Sequence, residues 1–264
     1  MNIKLDDGFS FGLGAFETIC VSCGVPVLLD SHLERLNGAL KMLGIDKTVN
    51  RSTISGYLSK NPVSQGALKI SVSRENTIIA VRENPYNDSD YTKGFSLVVS
   101  ETLRNETSPL TYIKSLNYAE NILEKRKAAS LGYEEALFFN TRGALAEGSS
   151  TNIFLQKGNR LYTPALSCGL LNGTIRKYIL ERYPVQETCI YSAELAAYDE
   201  VFVTNSLLGI MPVTGITFRN GDATGSVKHP QSAERRDSGE YSFNYAGRET
   251  AMEILDEYHA YIRR

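Results

Sequence analysis

The sequence predicts an α/β fold that is divided into two domains. Helix and strand patterns alternate in the first part of the chain, and strand patterns dominate the part that follows. Between them, the segment ETLRNETSP at residues 101–109 has no apolar period and many turn-forming residues, which is typical of a linker. We therefore predict a small N-terminal α/β domain over residues 1–103, a linker over residues 104–111 and a larger C-terminal domain over residues 112–264.

The composition is that of a globular protein with a sizeable core. Of the 264 residues, 42% are hydrophobic and 22% are charged, which is enough apolar material for one large or two modest domains. The formal net charge of −2 argues against the basic surface that attracts nucleic acids or anionic membranes. No apolar run approaches the roughly 20 residues that span a bilayer, and the N-terminus lacks the basic-then-apolar order of a signal peptide. We expect a cytoplasmic protein that acts on a small molecule.

Cys20 and Cys23 have the C-x-x-C spacing of some metal and redox sites. No second Cys or His pair stands near them in the sequence, and residues three apart in a strand face opposite sides of the sheet. We therefore interpret them as two small strand residues and predict no metal site.

The first predicted elements are a hairpin and an amphipathic helix. Two β-rich runs within residues 14–29 are joined around Gly24, which indicates a hairpin. The helix is expected to follow Ser31, with Glu34 three residues later as in a capping box, and to end at Gly44. One stripe of this helix is apolar and contains Leu33, Leu36, Leu40 and Leu43.

The remaining elements are predicted from the apolar period and from the glycine and turn residues. Helices are expected at residues 53–58, 117–131, 174–182 and 247–262, with Gly132 ending the second of them. Strands are expected at residues 67–72, 78–82, 95–99, 135–139, 152–156, 160–163 and 200–204. Residues 220–244 are polar and aperiodic, so we expect a mobile excursion there.

Lys114 is the first candidate catalytic residue. It lies in TYIKSLNY, a mostly uncharged stretch just before a predicted helix. A lysine that is buried beside a cofactor loses proton affinity and can act as a nucleophile and a base. A solvated surface lysine is the competing interpretation, because most single lysines are exposed.

Glu147 and the segment GLLNGTIRKYI add a carboxylate and a candidate anion site. Glu147 lies in the small-residue run AEGSSTN, where a fixed carboxylate could keep a pyridine nitrogen protonated. Asn172 and Gly173 stand at N-cap positions, which directs the amides of Thr174 and Ile175 towards an anion. A solvated turn glutamate and a helix that binds nothing are the alternatives. Together with a lysine, these are the three features that hold pyridoxal phosphate.

Two other segments carry weaker signals. Arg35 lies near the apolar edge of its predicted helix, where its guanidinium could bind a phosphate, although a salt bridge or a snorkelling side chain fits nearly as well. The segment TNSLLGIMPV, residues 204–213, places polar groups at a strand end, a frequent position for ligand contacts. The G-x-G of FGLGAFET lacks the third glycine and the ribose-binding acid of a dinucleotide fingerprint, so we predict no dinucleotide site.

Taken together, seven segments resemble the successive motifs of the class IV aminotransferases, a family of pyridoxal phosphate enzymes. The segments are FGLGAFET, HLERL, IKSLN, GALAEGSSTNIF, LYTP, GLLNGTIR and TNSLLGIMPV, and they follow one another in that order between residues 7 and 212. The resemblance implies a small α/β domain, a larger pseudo-barrel domain, a homodimer, and pyridoxal 5′-phosphate as the cofactor.

The resemblance also assigns roles to individual residues. It implies Lys114 as the lysine that binds the cofactor covalently, Glu147 as the partner of the pyridine nitrogen, and Tyr118 as a neighbour of the ring hydroxyl. Phosphate contacts are implied for the Arg35 side chain, the amides of Thr174 and Ile175, and the Ser206 hydroxyl.

Within the family, Thr18 in FET and Asn205 in TNSLLGI resemble 4-amino-4-deoxychorismate lyase, whereas branched-chain aminotransferases tend to carry glycine at both places. We therefore expect a lyase of folate biosynthesis that forms 4-aminobenzoate and pyruvate. Lys114 and Thr18 would be catalytic, and Thr18 and Asn205 would orient the substrate. A D-amino acid or branched-chain aminotransferase is the alternative, and a protein that binds the cofactor without turnover is a third. The loop after VSRENT is shorter than in relatives, which leaves Arg74 and Arg82 as candidates for the substrate carboxylate.

Overall fold

The computed structural model describes residues 3–219, 234–235 and 240–263. The chain folds into two compact units. The first unit comprises Met1–Tyr86, Ile113–Ala119 and His259–Arg264, and the second comprises Asn87–Tyr112 and Glu120–Tyr258. Residues 104–111, which are expected to form a linker, belong to the second unit. The domain boundaries that the sequence suggests stay a prediction.

The described residues form helices and strands along most of their length. The helices are α1 Asp7–Phe11, α2 Leu29–Met42, α3 Arg51–Leu58, α4 Asp88–Lys93, α5 Ala119–Ser130, α6 Thr174–Leu180 and α7 Glu249–Ile262. The strands are β1 Gly14–Ser22, β2 Val25–Pro26, β3 Gly66–Ser73, β4 Thr77–Arg82, β5 Phe95–Val99, β6 Glu135–Phe139, β7 Leu145–Gly148, β8 Asn152–Lys157, β9 Arg160–Pro164, β10 Val185–Thr188, β11 Glu200–Asn205, β12 Gly209–Phe218, β13 Glu234–Arg235 and β14 Tyr241–Asn244. Short 3₁₀ turns occupy Pro109–Tyr112, Leu166–Cys168 and Ser192–Ala197. Within the described ranges, no helix combines the length and the apolar character that crossing a membrane requires.

The first unit is built on a four-stranded antiparallel sheet with the strand order β2-β1-β3-β4. Strands β1 and β3 pair from Gly14↔Ser73 to Val21↔Gly66. The turn between β1 and β2 contains Gly24 with φ of +80°, a conformation that glycine adopts without strain, and the predicted hairpin is confirmed. Helices α2 and α3 supply the rest of a core that includes Ile19, Leu36, Leu40, Ile54, Leu68 and Ile70.

Helix α2 starts earlier than the sequence suggests. Its N-cap residue is Leu28, which has a left-handed backbone (φ 51°, ψ 36°) and no side-chain capping hydrogen bond. The amide of Val27 donates to the carbonyl oxygen of Cys20 at 2.8 Å, so the hairpin leads directly into the helix. Ser31 therefore lies inside the first turn, and the predicted Ser31–Glu34 capping box is wrong. The predicted apolar stripe is buried at Leu33, Leu36 and Leu40.

The second unit contains a mixed sheet whose main path has the strand order β10-β9-β8-β11-β12-β5-β6-β7. The pairs β10/β9, β12/β5 and β5/β6 are parallel, and the other pairs of this path are antiparallel. Strand β14 pairs with β12 and β13 beside this path. Helices and mixed strand pairing together confirm the predicted α/β fold class.

The predicted excursion over residues 220–244 is described only in part, because residues 220–233 and 236–239 lie outside the described ranges. Its last residues form β14, which pairs with β12 from Gly215↔Asn244 to Phe218↔Tyr241. The expectation of an irregular segment is wrong there. Phe243 is buried and packs edge-on against Phe218 at 5.9 Å between ring centroids, which stabilises the added strand.

Candidate active site

Lys114 is positioned by backbone pairing with the start of β1. The carbonyl oxygen of Lys114 accepts from the Phe16 amide at 2.9 Å, and the Leu116 amide donates to the Gly14 carbonyl oxygen at 2.8 Å. A Cβ atom at Gly14 would lie 2.5 Å from both the Leu116 side chain and the Val72 carbonyl oxygen, so this close approach requires glycine. The lysine is therefore held by the sheet although it lies outside a helix or strand.

The Lys114 ammonium lies beside two aromatic rings. Its Nζ atom is 4.5 Å from the ring centroid of Phe16 and 4.8 Å from that of Tyr118. The two rings pack edge to face with centroids 5.0 Å apart. Aromatic faces attract a cation and also exclude water from it. The structure thus brings together Lys114 and Tyr118, two of the residues that the resemblance assigns to the cofactor.

Thr18 lies on the same face of β1 as Phe16. The alternate residues Glu17 and Ile19 are fully buried on the opposite face, whereas Thr18 is partly exposed. Thr18 is directly opposite Lys69 of β3, and the Lys69 Nζ atom lies 4.9 Å from the Phe16 ring centroid. Two lysine ammonium groups therefore approach the Phe16 ring, and Thr18 lies on the same face of the strand.

The sequence pattern indicates only Arg74 and Arg82 as candidate cations for a substrate carboxylate. It does not identify Lys69. Arg74 follows the end of β3, and Arg82 lies at the end of β4; both side chains are exposed. The signal for Lys69 was present, because GALKISVS alternates and places the lysine on the face opposite Leu68 and Ile70.

Arg35 and His32 of α2 both contact the carboxylate of Glu17. Arg35 donates from Nε to Oε1 at 2.6 Å and from Nη2 to Oε2 at 2.8 Å, and His32 Nδ1 lies 2.7 Å from Oε2. Glu17 and His32 are buried almost completely. The residue predicted to bind a phosphate is thus oriented by a buried carboxylate.

The charge state of this cluster follows from its burial. Burial raises the pKa of Glu17, but the charges and hydrogen bonds of Arg35 and His32 outweigh burial and lower the pKa to about 2. Burial lowers the pKa of His32, against the opposing effect of Glu17. We conclude that Arg35 is the cation that keeps Glu17 ionised. The acidic residue within the apolar run AFETICV was the sequence signal for this cluster.

In the second unit, Glu147 lies in β7 and is 7% exposed. Its Oε2 accepts from the Leu171 amide at 3.0 Å and from Asn152 Nδ2 at 3.5 Å, and its Oε1 lies 3.4 Å from Arg104 Nε. Arg104 is buried, and its Nη1 also donates to Glu120 at 2.7 Å. The solvated turn glutamate is excluded as an interpretation, because this carboxylate is buried and fixed. Arg104 was missed, since it lies in a polar segment without a period.

A second buried carboxylate shapes the loop that follows Glu147. Glu135 of β6 is fully buried, and its oxygen atoms accept from the hydroxyls of Ser149 and Ser150 and from the Ser149 amide at 3.2 Å. Gly148 is required beside it, because a Cβ atom there would lie 2.2 Å from the Thr151 hydroxyl. The hydrogen bonds to Glu135 of β6 therefore fix the conformation of the run EGSST.

The N-terminus of α6 brings two predicted residues together. Its N-cap residue is Gly173, which has no side chain to accept from the first-turn amides, and the hydroxyls of Thr174 and Ser206 lie 3.2 Å apart. A Cβ atom at Gly173 would lie 2.0 Å from Asn152 Oδ1, so the helix start requires glycine. Ile175 is buried in the first turn. Hydroxyls beside a helix start form a donor set that suits a phosphate.

Asn205 holds the turn after β11. Its Oδ1 accepts from the amides of Leu207 and Leu208 at 2.9 and 3.0 Å, and its Nδ2 donates to the Ser150 carbonyl oxygen at 3.2 Å. A direct contact between this amide and a substrate would compete with these hydrogen bonds. The side chain fixes the turn that carries Ser206.

Comparisons with known proteins identify the family to which the chain belongs. A family model described as amino-transferase class IV matches residues 14–216. The aminodeoxychorismate lyase of Bacillus subtilis (strain 168) is 33% identical over 254 residues, which cover 84% of this chain and 86% of that protein. The D-alanine aminotransferase of Bacillus licheniformis is 28% identical over 247 residues, 84% of each chain. The crystal structure of 4-amino-4-deoxychorismate lyase from Pseudomonas aeruginosa has a TM-score of 0.78 at 25% identity and covers 98% of this chain and 96% of that chain.

Proposed function

The chain belongs to the class IV aminotransferases, a family of pyridoxal phosphate-dependent enzymes, and we propose that it is an aminodeoxychorismate lyase. The similarity to a lyase at 33% identity exceeds the 28% identity to a D-alanine aminotransferase of the same family. Both relatives cover most of this chain, so the proposal depends on particular side chains rather than on the fold.

The donor set of the described residues fits pyridoxal 5′-phosphate. Lys114 would bind it covalently beside Tyr118, and Glu147 would face the pyridine nitrogen. The phosphate would be held by Arg35, by the amides of Thr174 and Ile175, and by the Ser206 hydroxyl. When bound, the cofactor supplies an electron sink next to the amine-bearing carbon of the substrate.

The proposed reaction is an elimination in which Lys114 moves the protons. Lys114 would first yield its covalent bond to the amine of the substrate. Its freed Nζ atom would then take the proton from the amine-bearing carbon, and a proton would return to the enolpyruvyl group as that group leaves as pyruvate. The products 4-aminobenzoate and pyruvate together contain the atoms of the substrate, so no second substrate is consumed. A transaminase must instead bind an amino acid and then a keto acid.

One observation carries the choice of the lyase: the Thr18 hydroxyl lies on the face of β1 where Phe16 contacts the Lys114 ammonium. A hydroxyl at this place could hydrogen-bond to a substrate that is attached near Lys114. Lys69, opposite Thr18, adds a positive charge that suits one of the substrate carboxylates. Asn205 would act on the substrate site through the turn that it holds.

The test is turnover of aminodeoxychorismate by the purified enzyme with pyridoxal phosphate and without any keto acid. We expect 4-aminobenzoate and pyruvate in equal amounts. Thr18→Val, which keeps the shape and removes the hydroxyl, should lower kcat/KM by about 10-fold or more while cofactor content is unchanged. Thr18→Ser should restore most of the activity, because it returns the hydroxyl.

The aminotransferase alternative predicts a different result with amino acids and with aminodeoxychorismate. Rapid conversion of the bound cofactor to its amine form by D-alanine, L-leucine or L-glutamate, reversed by 2-oxoglutarate, would favour that alternative if aminodeoxychorismate were inert. An unchanged cofactor spectrum with every amine would favour a binding protein without turnover. A homodimer and a cytoplasmic location stay predictions from the sequence.

A further inference from the structure

Two thiols that lie far apart in the sequence meet in the second unit. The Sγ atoms of Cys168 and Cys189 are 3.4 Å apart, although the residues are 21 positions apart in the chain. Cys168 ends the 3₁₀ turn Leu166–Cys168 and is buried, whereas Cys189 follows β10 and is exposed. The Ala165 amide donates to the Thr188 carbonyl oxygen at 3.0 Å, which holds the two segments side by side.

We propose that Cys168 and Cys189 form a reversible dithiol–disulfide pair that reacts with small disulfides. The bonded sulfur atoms of a disulfide are about 2 Å apart, so the two atoms must approach by little more than one ångström. The backbone segments that carry them are already paired, and side-chain rotation at the exposed Cys189 can supply the approach.

The proposed oxidation proceeds by two thiol–disulfide exchanges. The Cys189 thiolate attacks one sulfur of the small disulfide, whose S–S bond breaks, and one small thiol is released with the proton of Cys189. Cys168 then loses its proton and attacks the Cys189 sulfur of the mixed disulfide, which releases the second small thiol. Burial and the neighbouring Cys189 thiol raise the pKa of Cys168 to about 12, so the exposed Cys189 is the first attacking group.

The disulfide would join the two segments that flank β7. On one side, the Leu171 amide, three residues after Cys168, donates to the carboxylate of Glu147. On the other, the carbonyl oxygen of Ile190, next to Cys189, accepts from the Leu145 amide at 2.7 Å. The bond would therefore tie together both supports of the strand that carries Glu147.

Peptide mapping tests the proposal. The enzyme is incubated with oxidised glutathione, alkylated with iodoacetamide in urea and digested with trypsin without reduction. We expect a cross-linked peptide that joins residues 161–176 to residues 183–219, with loss of two hydrogen atoms in mass, and its disappearance after dithiothreitol. The cross-link should be absent in Cys189→Ser and in Cys168→Ala.

Cys23 provides the matched control. It is also exposed, and its Sγ accepts from Gln65 Nε2 at 3.9 Å, so Cys23→Ser should leave the cross-link in full yield. Glutathione retained on Cys189 together with fully alkylated Cys168 would overturn the proposal. A cross-link between two copies of the chain, in place of the internal one, would overturn it as well.

Discussion

At the scale of the residue, the contacts of Lys114 hold in one place the amine for which we propose a covalent role. Two aromatic faces line its Nζ atom, and its backbone is fixed to β1. The sequence predicted the lysine from its helix-adjacent position, but the aromatic walls come from residues elsewhere in the chain, such as Phe16.

Borohydride reduction of the enzyme with bound cofactor should attach the pyridoxyl group to Lys114. Trypsin does not cleave after a modified lysine, so mass spectrometry should find the label on a peptide over residues 105–125. Lys114→Ala should abolish both the label and turnover. Lys69→Ala is the control, since this lysine approaches the same Phe16 ring from β3 and should leave the label in place. Label on Lys69 in the unaltered enzyme would contradict the assignment.

The substitution Glu147→Gln removes the negative charge of this side chain and keeps its shape. The glutamine carbonyl can still accept from the Leu171 amide, so bound cofactor should be retained. The negative charge beside the pyridine nitrogen is lost, and kcat should fall on the order of 100-fold, as expected when one preorganised charge is removed. Cofactor content is read from absorbance and kcat from product formation. Full activity of the variant would contradict the proposed role of Glu147.

At the scale of the element, the contact of β1 with α2 makes the first unit sensitive to acid. The folded-state pKa of Glu17 is about 2, below its usual value of 4.5. Its ionised form therefore contributes stability that is present above pH 4.5 and is lost as the pH falls towards 2. This contribution is on the order of 3 kcal/mol. Burial also lowers the pKa of His32 below 6.5, so its effect has the same direction and begins at a higher pH.

Glu17→Gln should destabilise the protein at neutral pH, because Arg35 and His32 lose their acceptor. The gap in unfolding free energy between the two proteins should narrow by about 3 kcal/mol as the pH falls from 4.5 to 2. Urea unfolding followed by circular dichroism measures this gap, since the chain has no tryptophan. Asp30→Asn is the control, because Asp30 also lies on α2 and its ion pair with Arg51 of α3 is exposed. A gap that stays constant with pH would contradict the assignment.

Most elements could be predicted from local patterns, and each failure has a physical cause. Strands such as Phe95–Val99 and Glu135–Phe139 have the predicted bounds, since they are short apolar runs between turns. The start of α2 could not be predicted, because its N-cap Leu28 has a left-handed backbone and no side-chain capping signal. Strand β14 was missed because its partner β12 is distant in sequence.

Some residues of the candidate site could be predicted from a short segment of sequence, whereas others depend on contacts between distant segments. Lys114, Glu147 and Gly173 stand out because each lies in a short segment of characteristic composition. The buried carboxylate Glu17 does not stand out, because its partners on α2 are 15 and 18 positions away. Buried charge pairs need the tertiary structure to be identified, since a charged residue alone is more often exposed.

At the scale of the whole molecule, one fold is shared by relatives that carry out different reactions. A lyase and a D-alanine aminotransferase each match over four fifths of this chain. The choice between these reactions must therefore depend on a few side chains around a common cofactor site. Thr18 and Lys69 are the candidates in the first unit, because they lie on the sheet face of Phe16, whose ring the Lys114 ammonium approaches.

The N-terminal segment of the first unit carries a surface that suits association of two copies. Leu5, Phe9 and Phe11 are 77%, 73% and 69% exposed, and Ile3 and Leu13 extend the same short segment. Adjacent exposed apolar side chains are unfavourable in water and mark contact surfaces. The homodimer that the family resemblance implies stays a prediction, and this surface is where we place its test.

Light scattering should give a mass of twice 29.2 kDa for the unaltered protein. Replacing Phe9 and Phe11 together by serine should shift the mass towards that of one chain, because the apolar contact that drives association is removed. Leu123→Ser is the control, since this leucine of α5 is 61% exposed and lies in the second unit. A dimer that survives the double substitution would place the interface elsewhere, and a monomeric unaltered protein would reject the homodimer itself.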